Sequence, residues 1–405
     1  MPNRFTPLSA LSTRSALTRS ATLLGAGCAL SLLTQATAVP AVPVTQAGAR
    51  TATIALGALP GGRAGGRTVR GLTARGTTNY SLLGVSWDDP EAQLAGTAQV
   101  RTRSAGRWSG WQDLVADSED RPDRAEADGP GTRGATAPRW VGPSDGVEVR
   151  VTGDGPLPRG LRVDLVDPGT GKPGADVPTM PSDEASASAP DAAHRLARPT
   201  RAHQAPRPGI VTRAGWGADE SLRHPGFTYT GAVRVVFVHH TDTANDYSCS
   251  DSPKVIRAIY QYHVQTNGWN DIGYNFLVDR CGTIYEGRAG GVAQPVLGAH
   301  TLGFNANSTG VAALGTFSND VPPQAQVDGV TKIAAWKLGL TGQDALGTAE
   351  LTSANDGSRY PAGDSHSFNT ISGHRDAFAT DCPGGELYNR LPAMRLWAAH
   401  LQGRR

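Results

Sequence analysis

Residues 168 to 207 mark the sharpest break in this chain and divide what it can fold into. The stretch is rich in Pro, Ala, Ser, Gly and Asp, holds no aromatic residue and sustains no apolar period. It therefore cannot bury enough surface to order itself and reads as a flexible linker. A chain of 405 residues parted there has room for two modest domains, each with its own core.

The two sides carry different patterns. Over residues 70–167, Val147 to Val151 and Leu161 to Val166 alternate apolar with polar residues, as half-buried strands do. Gln99 to Arg103 and Trp108 to Leu114 flank a turn at Ser104-Ala105-Gly106-Arg107, and Tyr80 to Trp87 adds another strand. Asp117 to Pro138 is a polar, acidic loop without periodicity. The expected sum is a small all-β sandwich of unassigned role. Its Trp87, Trp108 and Trp111 fit either core packing or stacking on sugar rings.

Past the linker, residues 208–402 read as α/β. Val233 to Val238 is a continuous apolar run suited to a strand buried on both faces. Pro253 opens a helix in which Val255, Ile256, Ile259, Tyr260 and His263 share a face, and Gly268 closes it. Further strands are expected at Tyr274 to Val278, Thr283 to Tyr285 and Val311 to Phe317, with helices at Gln324 to Leu338 and Leu387 to Leu401.

Residues 1–38 resemble a secretory signal peptide. Arg4, Arg14 and Arg19 precede an apolar stretch from Ala21 to Leu33, and Ala36-Thr37-Ala38 offers a small-x-small cleavage site. The apolar run is too short for a permanent membrane span, so a secreted, wall-associated product is expected; a lipid anchor on Cys28 is the alternative. The formal charge of +2 and the lack of a basic block give no electrostatic case for nucleic acid.

Three ligand-type residues stand at informative places. His239 ends the buried apolar run, where a sheet presents side chains to a cleft, and His374 is followed eight residues later by Cys382. Two histidines and a thiolate leave the fourth tetrahedral position of zinc open, the arrangement of a catalytic site. His240, next along the strand, points to the opposite face and is not expected to be a ligand.

Around these residues the second domain resembles the peptidoglycan recognition proteins and the related zinc N-acetylmuramoyl-L-alanine amidases. The likeness runs through Arg213-Ala214-Gly215-Trp216-Gly217, Val238-His239-His240-Thr241, Gly268-Trp269, Asp271-Ile272-Gly273-Tyr274-Asn275-Phe276 and Tyr285-Glu286-Gly287-Arg288. It continues in Gly298-Ala299-His300-Thr301, Gly303-Phe304-Asn305, Gly373-His374-Arg375-Asp376 and Cys382-Pro383-Gly384. The resemblance implies a mixed central sheet flanked by helices, and one Zn2+ per chain on His239, His374 and Cys382. It also implies catalytic roles for Tyr274 and Thr380, which orient a metal-activated water and stabilise the oxyanion. The implied reaction is hydrolysis of the amide between the muramoyl lactyl group and L-alanine of peptidoglycan, by a monomer. Members that only bind peptidoglycan typically lack the cysteine, so its presence here favours an enzyme.

The resemblance also suggests where glycan and stem peptide lie. His263, Trp269, Arg288, His300 and Asn305 are the substrate-binding candidates; His263 fits helix packing equally well, and Arg288 fits plain surface charge. Glu286 is weighed as a base and reads as a solvated strand-end carboxylate. With Cys382 assigned to zinc, Cys249 and Cys281 are left to pair, unlike the closer-spaced bridge of animal members. The Thr341 to Asn369 insertion fits a cleft-side loop or a decorated surface. Two rival functions remain: a peptidoglycan-binding protein without activity, and a zinc peptidase acting elsewhere on the stem peptide.

Overall fold

The computed structural model describes residues 48–64, 67–117, 120–123, 131–153, 155–171, 179–180 and 203–404. The expected signal peptide, residues 1–38, and most of the expected 168–207 linker lie outside them. The described residues fall in one compact unit, Gln46–Arg405. No described helix is long and apolar enough to cross a membrane.

The first half is a ten-stranded sheet. Its strands are β1 (Arg50–Ala55), β2 (Gly57–Ala64), β3 (Arg67–Trp87), β4 (Gly96–Ser104), β5 (Arg107–Trp108), β6 (Gln112–Leu114), β7 (Ala116–Asp117), β8 (Gly134–Thr136), β9 (Arg139–Gly153) and β10 (Arg162–Asp167). The main path runs β1-β10-β3-β9-β4-β5, antiparallel at every step. β3 and β9 are long, and irregular register between them lets one sheet bend around its own core. That core includes Tyr80, Leu83, Val85, Trp87, Val100, Val147, Val149, Val151, Val163 and Leu165. The sheet starts at Arg50, twenty residues before the expected boundary of 70, because β1 and β2 are short of the bulky alternating residues that mark a strand. Trp87 belongs to the core, whereas Trp111 is 37% exposed and lies against Arg101 and Arg150.

The second half is built on a seven-stranded mixed sheet. Its members are β11 (Thr179–Met180), β12 (Ile210–Val211), β13 (Val235–His240), β14 (Phe276–Val278), β15 (Ile284–Glu286), β16 (Ser308–Ala313) and β19 (Ile371–Gly373). Their order is β11-β12-β15-β14-β16-β13-β19. β13 lies parallel between β16 and β19, and every one of its residues is buried, as its unbroken apolar run requires. Two layers of helices cover the sheet. α1 (Arg213–Trp216) and α2 (Ser252–Gln261) pack with the cluster around Val255, Ile259, Leu277 and Ala312. α3 (Gln324–Leu340), α4 (Gly385–Tyr388) and α5 (Leu391–Leu401) pack with that around Val236, Val238, Ile333 and Met394. Cys249 and Cys281 form a disulfide that ties the chain before α2 to the turn between β14 and β15.

The 341–369 insertion is ordered. Thr348–Thr352 (β17) and Ser365–Asn369 (β18) form a hairpin whose Ala349, Leu351 and Phe368 pack on Val235, Phe237 and Phe304.

The two halves share buried surface. Leu82, Ala135, Trp140 and Val166 of the β domain belong to one apolar cluster with Val255, Ile256, Ile259 and Tyr262. At its centre the Tyr262 hydroxyl donates to the Thr136 carbonyl at 3.0 Å.

Candidate active site

The carboxyl ends of adjacent parallel strands deliver the two histidines. His239 is the fifth residue of β13, and His374 directly follows β19, whose Gly373 is in register with Val238. Side chains at such strand ends are held by a rigid sheet while facing the cleft above it. The turn after His374 then brings Cys382 across, and the Arg375 N–H donates to the Cys382 carbonyl at 2.9 Å.

His239, His374 and Cys382 are all buried, and their ligand atoms lie within 4.8 Å of one another. The His239 Nδ1 to Cys382 Sγ distance is 3.7 Å. A tetrahedral zinc bonded at about 2.0–2.1 Å to nitrogen and about 2.3 Å to sulfur needs such ligand atoms about 3.5 Å apart. The donors are also prepared for a cation. The His240 backbone N–H donates to Cys382 Sγ at 3.4 Å, which favours the thiolate. Thr301 Oγ1 lies 3.3 Å from His239 Nε2, leaving Nδ1 to face the cluster. The Nε2 of buried His374 lacks a hydrogen-bond partner among the described residues. Burial pushes the His239 imidazolium down to about 3 and His374 well below its usual value, so both rings are neutral, as metal ligands must be. The residues therefore fit a metal ion.

A fourth group enters this cluster from the other domain. Asp120, on the loop after β7, places Oδ1 3.3 Å from His239 Nδ1 and 3.3 Å from His374 Nδ1. Its Oδ2 accepts from the Tyr274 hydroxyl at 2.6 Å. Burial raises this carboxyl to about 8 against the pull of that hydrogen bond, and a bound cation would reverse the shift. Nothing local in the sequence marks Asp120, one acid of an acidic, aperiodic loop, as part of the centre. Its neighbours are anchored too. Asn305 Nδ2 donates to the Arg121 carbonyl at 3.0 Å, and the Gly303 N–H donates to Asp123.

Thr380 stands beside the cluster, and its hydroxyl accepts from the Cys382 N–H at 3.0 Å. With Tyr274, Asp120, His240 and Cys382 it lines a cavity of about 120 Å³ roofed by Val115, Ala116, Ala137 and Pro138 of the β domain. His240 turns away from the metal-type cluster, as the strand alternation predicts, and its Nδ1 accepts from the Phe317 N–H at 3.2 Å.

The five substrate-binding candidates lie inward: His263, Trp269, Arg288, His300 and Asn305 are each no more than 7% exposed. His263 packs against Trp269 and accepts from the Gly273 N–H. Arg288 donates to the carbonyls of Ile272 and Leu297, so its guanidinium holds loops rather than lying on the surface. His300 sits behind His239, with ring centroids 5.2 Å apart, and Asn305 Oδ1 accepts from the N–H groups of His300 and Thr301. Glu286 is buried instead of solvated, and it accepts from the Arg213 N–H where α1 begins. A larger cleft of about 880 Å³, lined by Trp108, Trp140, Asn245 and Lys254 among others, holds none of the three metal-type ligands.

Comparison with known proteins gives two family matches. Residues 229–385 match the N-acetylmuramoyl-L-alanine amidase family. Residues 34–193 match the Rv3811 N-terminal galactose-binding domain-like family. Peptidoglycan-recognition protein LB of Drosophila melanogaster is 30% identical over 185 residues, covering 45% of this chain and 67% of that protein. The N-acetylmuramoyl-L-alanine amidase of Homo sapiens is 32% identical over 193 residues, covering 47% of this chain and 28% of the human protein. Among solved structures, wild-type Drosophila peptidoglycan-recognition protein LB is 27% identical with a TM-score of 0.36, covering 45% of this chain and 92% of the other.

Proposed function

Because this chain belongs to the family that joins N-acetylmuramoyl-L-alanine amidases with the peptidoglycan recognition proteins, we propose that it is a zinc amidase of bacterial peptidoglycan. The bond cut is the amide between the muramoyl lactyl group and L-alanine. The observation that carries this reading is the convergence of His239, His374 and Cys382, all buried and spaced for one tetrahedral ion. A protein that only held peptidoglycan would have no use for a buried thiol clustered with two neutral imidazoles.

Zinc bound there supplies Lewis acidity and a water made nucleophilic near neutral pH. The protein's own groups do the rest. His239 is held in one orientation by Thr301, and Cys382 by the His240 N–H. Tyr274 presents its hydroxyl at the cluster, where it can donate to the lactyl carbonyl oxygen as negative charge develops. Thr380 lines the same cavity, and its hydroxyl serves there as a second polar contact for that amide. The buried His263, His300 and Asn305 act in this scheme by fixing the loops that carry Tyr274 and Thr301. The leader of residues 1–38 supports export to the wall, where the substrate is and where the Cys249–Cys281 disulfide persists.

The test is to load the mature full-length chain with zinc, incubate it with purified peptidoglycan and identify the new amino termini. L-alanine termini that vanish with chelator support the amidase. Any other terminal residue points to a stem-peptide peptidase, and zinc binding without new termini points to a binding protein.

A further inference from the structure

The β domain does more than adjoin the catalytic domain: it closes the metal centre. Given zinc-ligand bonds of about 2.0–2.2 Å, two nitrogens and a carboxylate oxygen on one tetrahedral ion sit about 3.3–3.5 Å apart. Asp120 Oδ1 meets that spacing to both histidines, at 3.3 Å and 3.3 Å. This corner is the one a catalytic site keeps for water. We propose that Asp120 is the fourth ligand of the metal centre and that the β domain holds the amidase latent by occupying the water's place.

Three further observations lead the same way. The Tyr274 hydroxyl, needed for the developing oxyanion, is taken up by Asp120 Oδ2 at 2.6 Å. The segment is fastened just after the metal-facing residue, through the Arg121 carbonyl to Asn305 and through Asp123 to the Gly303 N–H. The remaining space at the cluster, about 120 Å³, is well below the roughly 300–1,000 Å³ of a ligand site and far too small for a glycan-linked peptide. One short segment thus fills the metal's open corner and occupies the catalytic hydroxyl, beneath Val115, Ala116, Ala137 and Pro138. Activity then requires Asp120 to withdraw, which frees the metal's corner and the Tyr274 hydroxyl together.

This inference rests on the metal site proposed above, and its test keeps the two apart. Wild-type, D120A and D120N full-length chains are loaded with cobalt(II) as a spectroscopic stand-in for zinc, and azide is titrated against the visible bands. The expected result is one metal per chain in all three, with azide binding at least about ten-fold tighter in the variants. Zinc affinity should also fall in D120A by about ten-fold or more, as a lost ligand requires. D123A, which loosens the segment without touching a ligand, should shift azide binding in the same direction by less, and it guards against a folding defect in the Asp120 variants. Equal azide affinity in wild type and all variants would overturn the latch and leave the metal site standing. A wild-type chain retaining no metal would overturn both. Loss of cleavage by D120A without any gain in azide affinity would make Asp120 a catalytic group and overturn latency.

Discussion

Cys382 carries the softest donor of the centre, and its replacement separates metal binding from folding. A serine hydroxyl in its place is a poorer zinc ligand than a thiolate at neutral pH, while its volume change is small. C382S is expected to fold with a near-native melting temperature, lose zinc affinity by at least about 100-fold and cut no peptidoglycan; full activity would remove Cys382 from the ligand set. At this scale the sequence was informative where residue type and position agreed. His239 ends an apolar run and His374 and Cys382 sit in a short motif, each a weak signal alone that the family resemblance around them made into a ligand set. Asp120 has no such signal. It lies 119 positions before His239 in a loop with no period, and its role depends on how two domains dock. The inward placement of Arg288 and Glu286 was equally hidden, because polar residues read as exposed until their backbone partners are seen.

Among the secondary-structure elements, α2 shows what a one-domain reading overlooks. Its apolar positions at helical spacing declare one buried face. Leu82, Trp140 and Val166 of the β domain join the same apolar cluster, which no periodicity within α2 announces. The strands split the same way. β13 was evident from its β-branched run, whereas β1 and β2 were not, being rich in small residues. The hairpin at Ser104 to Arg107 was legible from its turn, where Ala105 and Gly106 adopt positive φ. The disulfide ahead of α2 closes a loop spanning 32 residues, worth about 3–4 kcal/mol in the chain-entropy account. Replacing both Cys249 and Cys281 by serine should lower stability by roughly that amount in denaturant titrations and leave zinc affinity unchanged. A fall in zinc affinity would mean that the bridge also shapes the metal centre.

For the whole molecule, the interface around Tyr262 joins the β domain, which carries Asp120, to the second half. Gly84 faces Tyr262 so closely that an added Cβ would lie 2.0 Å from its hydroxyl oxygen, and that tyrosine is buried against the Thr136 carbonyl. G84A should therefore act as a wedge, costing about 1–3 kcal/mol as overpacking does. It should also increase proteolytic cleavage between the two halves and raise azide access to the cobalt centre without altering any metal ligand. Unchanged stability and access would show that the interface adapts and that the loop is held locally. The 168–207 break suggested two halves, but a boundary in composition carries no information about whether such halves dock.

The most direct test of the central claim is the identity of the amino termini released from purified peptidoglycan by the zinc-loaded wild-type and D120A chains, each with and without chelator. The expected result is L-alanine as the new terminus in both, released faster by D120A and abolished by chelator. Termini of any other residue, or none from either chain while zinc is bound, would contradict the assignment of this protein as an N-acetylmuramoyl-L-alanine amidase.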